Sequence, residues 1–460
     1  MTEVLRPLGI DVAGFAAVIG LMVVLARRSV ARSEEFLVAD RALGLGPLIA
    51  TLVMTEFNTS TLLAFSAAGY RAGPMALAMP LVFLVGLSFY TATVARAWKR
   101  FNRLSVAELF AVRYSAGLGR FASVLLLLAM TGFSATYLKS FTLLLGPWTG
   151  ALNPWLVSGG LAAVTLLVVW RGGLASVVRT DVAGFVLTIG LVGGLLLVSR
   201  GFSPAGAFPA DQLTVDPVGQ WRSPVLPFRF VTTLIVLTCF TYIAAPWYGQ
   251  KIFAARNERT AVLAVGVAAV LVFALYGATV VAAARFAAAD GGLADPQMVV
   301  PAMISAWFPG GLRGLAFGVL FVASLTTLSG VWSAMTAMVV ADFGWRRVSS
   351  LGAQRVVTGG FAVLSWLGGN LLVDDILDRL ILANIPVAAL AFALLAGFHW
   401  PRATVRGAWA SVAVGVVWGV GCFLVVGEEG GYTWPWAMYG IPLIFLTGVV
   451  VSLSERRPTR

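Results

Sequence analysis

Apolar runs of about twenty residues recur along this chain, divided by short segments rich in charge, glycine and proline. A bilayer hydrocarbon core about 30 Å thick is crossed by roughly 20 residues of helix rising 1.5 Å each. In lipid only helices and closed barrels satisfy their own backbone groups. Charged residues make up 11% of the sequence, against about a quarter in a soluble domain. The fold class expected is all-α and integral to the membrane.

Reading the runs between their punctuation gives thirteen spans, near 10–27, 44–70, 74–96, 121–147, 154–170, 180–200, 228–250, 260–285, 311–342, 355–373, 378–398, 404–426 and 433–453. The basic segment 99–120 is expected at the membrane interface. Arg27 and Arg28 follow the first run rather than precede it, so it reads as a retained span and not a cleaved signal peptide. Cys239 and Cys422 stand alone in apolar segments and read as small buried hydrophobes.

The direction of the chain follows from its cations. If the N-terminus lies outside and the spans alternate, the inner segments collect 23 of the 32 Lys and Arg. Among them are Arg28, Arg41, Arg96, Lys99, Arg100, Lys251, Arg256, Arg346, Arg347, Arg402, Arg456, Arg457 and Arg460. The outer loops carry Asp290, Asp295, Asp374, Asp375, Glu428 and Glu429. Cytoplasmic loops are enriched in Lys and Arg, so a cell-membrane protein with its N-terminus outside and C-terminus inside is expected. The net charge of +12 therefore belongs to short loops and does not imply a nucleic-acid partner.

One run is interrupted where interruption is costly. LVMTEFNTSTLLAF, 52–65, places Glu56, Asn58, Thr59, Ser60 and Thr61 together, with Glu56 twelve residues into span two. That is about 18 Å along a helix, near the bilayer midplane. A carboxylate there faces a partner or a wet cavity, and non-helical backbone at that depth is tolerated where it lines one. Five spans later TCFTYIAAPWYGQK, 238–251, carries Pro246 deep in span seven, with Tyr242, Trp247 and Tyr248 around it. Proline removes a helical hydrogen bond. Two breaks at matching positions are the signature of an inverted-repeat transporter, with its site between them.

The order and spacing of five stretches resemble the sodium/solute symporter family, which includes proline, sugar, sialic-acid and monocarboxylate carriers. They are EEFLVADRALG before span two, the polar break ending in AAGYRAG, GGLASVVRTD at span six, ASLTTLSGVWSAMTAMVVAD in span nine and HWPRATVRGAWA at span twelve. The resemblance covers roughly 35–455. It implies a LeuT-type five-plus-five inverted repeat with discontinuous helices two and seven. The division that follows is an extra span and loop, 1–43; a first repeat, 44–200; an outer loop, 201–227; a second repeat, 228–398; and two C-terminal spans, 399–460.

The same resemblance implies a Na+ site built from carbonyls at Met54, Phe57 and Leu320 and from two adjacent hydroxyl residues in span nine. Those two positions are Ala323 and Ser324, so one hydroxyl is missing. A hard cation wants several oxygens, and carbonyl dipoles supply them without net charge. A second arrangement found in some members matches Thr326, Thr327 and Asp181. For the two threonines helix packing is an open alternative, and for Asp181 a guard at the ion exit or a plain interfacial charge.

Substrate contacts are expected from Glu56, Thr59, Ser60, Thr61, Trp247 and Tyr248, and from Lys139, the other expensive charge. Three readings of Lys139 stand open: it snorkels to the outer surface, it pairs with Glu56, or it reads a substrate carboxylate. Where the family's sugar carriers place polar contacts this chain has Ser60, Thr61, Pro80 and Phe83, too apolar for a polyhydroxylated sugar. An amino acid or small carboxylate is favoured. Clustered His or Cys ligands, phosphate loops and catalytic sets are absent from the sequence, so no enzyme is expected. The single histidine, His399, reads as interfacial and structural. Na+-driven symport leads, with H+ coupling as its rival and a solute sensor behind both. A sensor would need a separate partner, because seven residues follow span thirteen; no obligatory protein partner is inferred.

Overall fold

The computed structural model describes residues 9–27, 30–150, 152–202, 221, 223, 225–289, 292–343, 350–374, 376–427 and 431–455. The expected outer loop, 201–227, falls largely on 203–220, outside the described residues, as do Arg28, Asp290, Arg346, Arg347, Asp375, Glu428, Glu429, Arg456, Arg457 and Arg460.

Among the described residues the regular structure is helical, apart from an isolated bridge between Leu43 and Ala255. The helices that matter here are α1 (Gly9–Ala26), α2 (Leu45–Glu56), α3 (Thr59–Ala72), α4 (Ala78–Thr93), α5 (Ala116–Thr149), α6 (Pro154–Ser199), α7 (Phe228–Tyr242), α8 (Pro246–Ala254), α9 (Glu258–Ala289) and α10 (Leu312–Asp342). They are followed by α11 (Leu351–Leu371), the bent pair α12 (Ile376–Ala388) and α13 (Ala391–His399), then α14 (Val405–Val426) and α15 (Thr433–Ser454). Among the described residues, eight helices are long and apolar enough to cross a membrane, or up to 10 if each bent pair is one span.

The thirteen apolar runs therefore do not become thirteen separate long helices. Runs 154–170 and 180–200 join in α6, whose backbone turns at Gly173. Gly173 has φ 51°, and a Cβ there would lie 2.2 Å from the Phe36 carbonyl oxygen, so glycine is required twice over. Runs 44–70 and 228–250 each divide into two helices, at 57–58 and 243–245.

At the centre stands α10: its most apolar stretch is 94% buried, against 22% for α1. One side of α1 is largely exposed, while the other side packs along α10. There the buried Asp11 Oδ1 accepts hydrogen bonds from the Gly311 and Gly314 amides at 2.7 and 3.3 Å, meeting donors that the start of α10 leaves open. A second tie holds the two broken helices at one end. The Leu43 amide donates to the Ala254 carbonyl at 3.0 Å, and the Arg256 amide donates to the Leu43 carbonyl at 3.0 Å.

Candidate functional site

The first break forms where the sequence stops favouring a helix. Phe57 leaves helical geometry with ψ 92°, and Asn58 caps α3, its side chain accepting from the Thr61 amide at 2.9 Å. The carbonyl of Glu56, which a continuous helix would have satisfied, accepts from Asn58 Nδ2 at 2.9 Å and from the Tyr276 hydroxyl at 2.6 Å. Tyr276, on α9, accepts in turn from the Asn58 amide at 3.0 Å and stacks on Phe57 with centroids 4.8 Å apart. Every loose backbone group that these contacts meet is met from a fixed direction, so the unwound turn is held rather than slack.

The second break lies opposite. Helix α7 ends at Tyr242, α8 opens with Pro246 in its first turn, where no amide is needed, and the two axes meet at 49°. Trp98 Nε1 donates to the freed Ile243 carbonyl at 2.9 Å.

Between the breaks is a cavity of about 100 Å³. Its polar lining includes Glu56, Asn58 and Thr61 from the first break, together with Asn384. Six rings, Phe65, Phe83, Phe133, Tyr137, Tyr242 and Trp247, share the wall with aliphatic side chains such as Val82, Leu234 and Leu377. Glu56 is 2% exposed; its Oε2 accepts from the Tyr242 hydroxyl, and its Oε1 accepts no hydrogen bond.

Of the substrate residues expected from sequence, the cavity brings together Glu56, Thr61 and Trp247. Thr59 and Ser60 point elsewhere, into a chain of hydroxyls. Thr59 bonds Ser140 at 2.8 Å and Ser324, and Ser60 donates to Ser140 at 2.9 Å and to the Thr136 carbonyl at 3.2 Å. Tyr248 is wholly buried beside the cavity, edge-on to Tyr90 and Tyr242.

Lys139 stands apart from the cavity. It is half-buried, and among the described residues it neither lines the cavity nor forms an ion pair with Glu56. Two residues after Tyr137, it stands about 200° around α5 from the side chain that does line the cavity.

The expected Na+ ligands divide in the same way. Thr327 and Thr326 donate to the Met54 carbonyl at 3.0 and 3.4 Å, bringing α10 against the end of α2. Phe57 is the break itself, and Leu320 is buried on α10. Ser324 is turned to Thr59, so its hydroxyl belongs to the network beside this cluster.

Asp181 has a partner that the sequence did not suggest. Its Oδ2 lies 3.3 Å from Lys251 Nζ and accepts from the Thr51 hydroxyl, and both charged side chains are fully buried. Lys251 Nζ also donates to the Thr51 carbonyl at 2.8 Å and to the Thr55 hydroxyl. One expectation is corrected here: Lys251 is not a cytoplasmic loop cation, because α8 carries it into the protein. Asp181 Oδ2 faces the Lys251 ammonium, while its Oδ1 accepts no hydrogen bond. The residues missed from sequence, Tyr276, Tyr137, Phe133 and Lys251, are ordinary in their local context; Tyr242 is legible only by its place beside the Pro246 break.

The profile of the sodium:solute symporter family matches residues 36–415. The human sodium-coupled monocarboxylate transporter 2 is 24% identical over 348 residues, 71% of this chain and 55% of that protein. The Escherichia coli (strain K12) sodium/pantothenate symporter is 26% identical over 292 residues, 60% of this chain and 59% of that protein. The matches thus span little more than half the length of these relatives. A solved structure of a Na+-coupled sialic acid symporter in a substrate-bound outward-open state superposes with a TM-score of 0.77, covering 98% of this chain and 99% of that one at 16% identity. At that identity the likeness speaks for the fold.

Proposed function

Since the chain belongs to the sodium:solute symporter family, we propose that it is a secondary active transporter that uses Na+ entry to drive symport of a small organic solute by alternating access. The observation that carries this reading is the cavity between two helix breaks, with Glu56 and Tyr242 bonded across it. Unwound backbone in the hydrocarbon region is sustained where it lines a site, and breaks in matched positions are how inverted-repeat transporters build one.

On this reading the chain has thirteen spans, N-terminus outside and C-terminus cytoplasmic. The repeats are 44–200 and 228–398, joined by the outer loop 201–227 and flanked by 1–43 and 399–460. Gly173 supports separating α6 into two spans, and the bends at 243–245 and in the α12–α13 pair support counting each as one. Na+ binds where the Met54 carbonyl meets Thr326 and Thr327, with Phe57, Leu320 and Ser324 as the neighbouring oxygens. The aromatic wall favours a solute with an apolar body over a sugar, whose hydroxyls would go unpaired.

A second reading, H+ coupling, is favoured by one observation: the unpartnered Oε1 of Glu56 offers a proton site inside the cavity. Uptake by reconstituted vesicles separates the two. A panel of labelled solutes is offered with a Na+ gradient, with a pH gradient, and with neither. Accumulation of any of them driven by Na+ alone supports Na+ symport; accumulation driven by the pH gradient in Na+-free medium overturns it.

A further inference from the structure

We propose that the solute carried by this site bears a positively charged nitrogen, as a small amine or quaternary ammonium. The inference rests on the transporter reading and names the substrate class of the same cavity.

The cavity has one formal charge among its lining residues, and it is negative. Glu56 lines it, while Lys, Arg and His do not. A carboxylate that is 2% exposed and meets only the neutral donors of Tyr242 and Trp247 lacks the counter-charge that buried ions require. Lys251 acts on Glu56 through its charge but is held by Asp181, Thr51 and Thr55 and does not line the cavity. The missing cation is therefore left to the occupant.

The rest of the wall suits the same guest. Six aromatic side chains are among the lining residues, and ring faces attract an ammonium through their quadrupoles. Rings do so without a hydrogen bond, so methylated nitrogens are accepted. At about 100 Å³ the cavity admits a small head group. A carboxylate would meet Glu56 as a like charge, with no cation in the lining to receive it. The relatives named for monocarboxylate and pantothenate therefore differ from this chain in what they must recognise.

The test uses the purified full chain in detergent with matched probes: propylamine and tetramethylammonium against 1-propanol and propionate. Protection from thermal unfolding is recorded against probe concentration, with and without Na+. Both cations should protect saturably, while 1-propanol and propionate should not. Glu56→Gln should raise the concentration for half-maximal protection at least tenfold, and Phe83→Leu should do so for tetramethylammonium if the glutamine variant does not fold. Protection by propionate without protection by the cations, or a cation response unchanged in the variants, overturns the proposal. Cation protection with no effect of Na+ supports it while counting against Na+ symport. Na+ protection with no cation response overturns it alone.

Discussion

The hydroxyl of Tyr242, the last residue of α7, donates to the carboxylate of Glu56, the last residue of α2. Two chain segments that each abandon helical geometry are thus joined at the points where they do so.

That coupling is measurable. Tyr242→Phe removes a donor to a buried charged acceptor, which costs about 1.5–3 kcal/mol. Glu56→Gln removes the charge that made the donor necessary. In a double-mutant cycle on thermal stability the two effects should fall short of additivity by about 1 kcal/mol or more, as expected for residues in contact. Additive effects would show that the bond does not hold the breaks together.

Lys251 and Asp181 make a sharper case. Removing one member of a buried ion pair leaves an uncompensated charge and costs about 3–5 kcal/mol, whereas removing both is often tolerated. Lys251→Met and Asp181→Asn should each lower folded yield and unfolding temperature markedly. The double variant should recover most of the loss. A double variant no better than the worse single one would contradict the pairing.

Lys139 should be dispensable. It lies outside the cavity, so Lys139→Gln should leave the solute concentration for half-maximal uptake within about twofold of wild type, the scale of a surface substitution. A tenfold rise would return it to the site.

Topology follows from the segregation of Lys and Arg. Single cysteines introduced at Arg100 and Arg347 should react with an impermeant maleimide from the cytoplasmic side only, and one at Asp374 from outside only. Labelling of both groups from one face would end the thirteen-span arrangement.

The breaks were legible in the sequence because polar residues at 56–61 and a proline at 246 are conspicuous inside apolar runs. What closes around them was not. Tyr276 and Phe133 are single aromatics in apolar helices, and nothing local says which way they face until α9 and α5 have packed. Lys139 and Glu56 invited pairing because both are expensive in lipid, but burial cost carries no helical phase. Lys251 sits near the end of a span, where counting treats every lysine as a loop charge. Its partner is 70 residues away, and Pro246, by starting α8 where it does, brings Lys251 to it. The family resemblance implied Ser324 beside Met54; in the structure Thr326 and Thr327 donate to the Met54 carbonyl, and Ser324 bonds Thr59 next to them.

The central claim is that Na+ binds where the end of α2 meets α10. Equilibrium binding of radioactive Na+ to the purified protein, wild type against Thr327→Val, tests it most directly. Valine keeps the shape of threonine and deletes the oxygen that reaches Met54. The wild type should bind Na+ saturably, and the variant should need at least tenfold more Na+ for half-saturation, consistent with one lost ligand oxygen of about 1.4 kcal/mol or more. Saturable binding of equal affinity in the two proteins, or none in the wild type, would contradict the account.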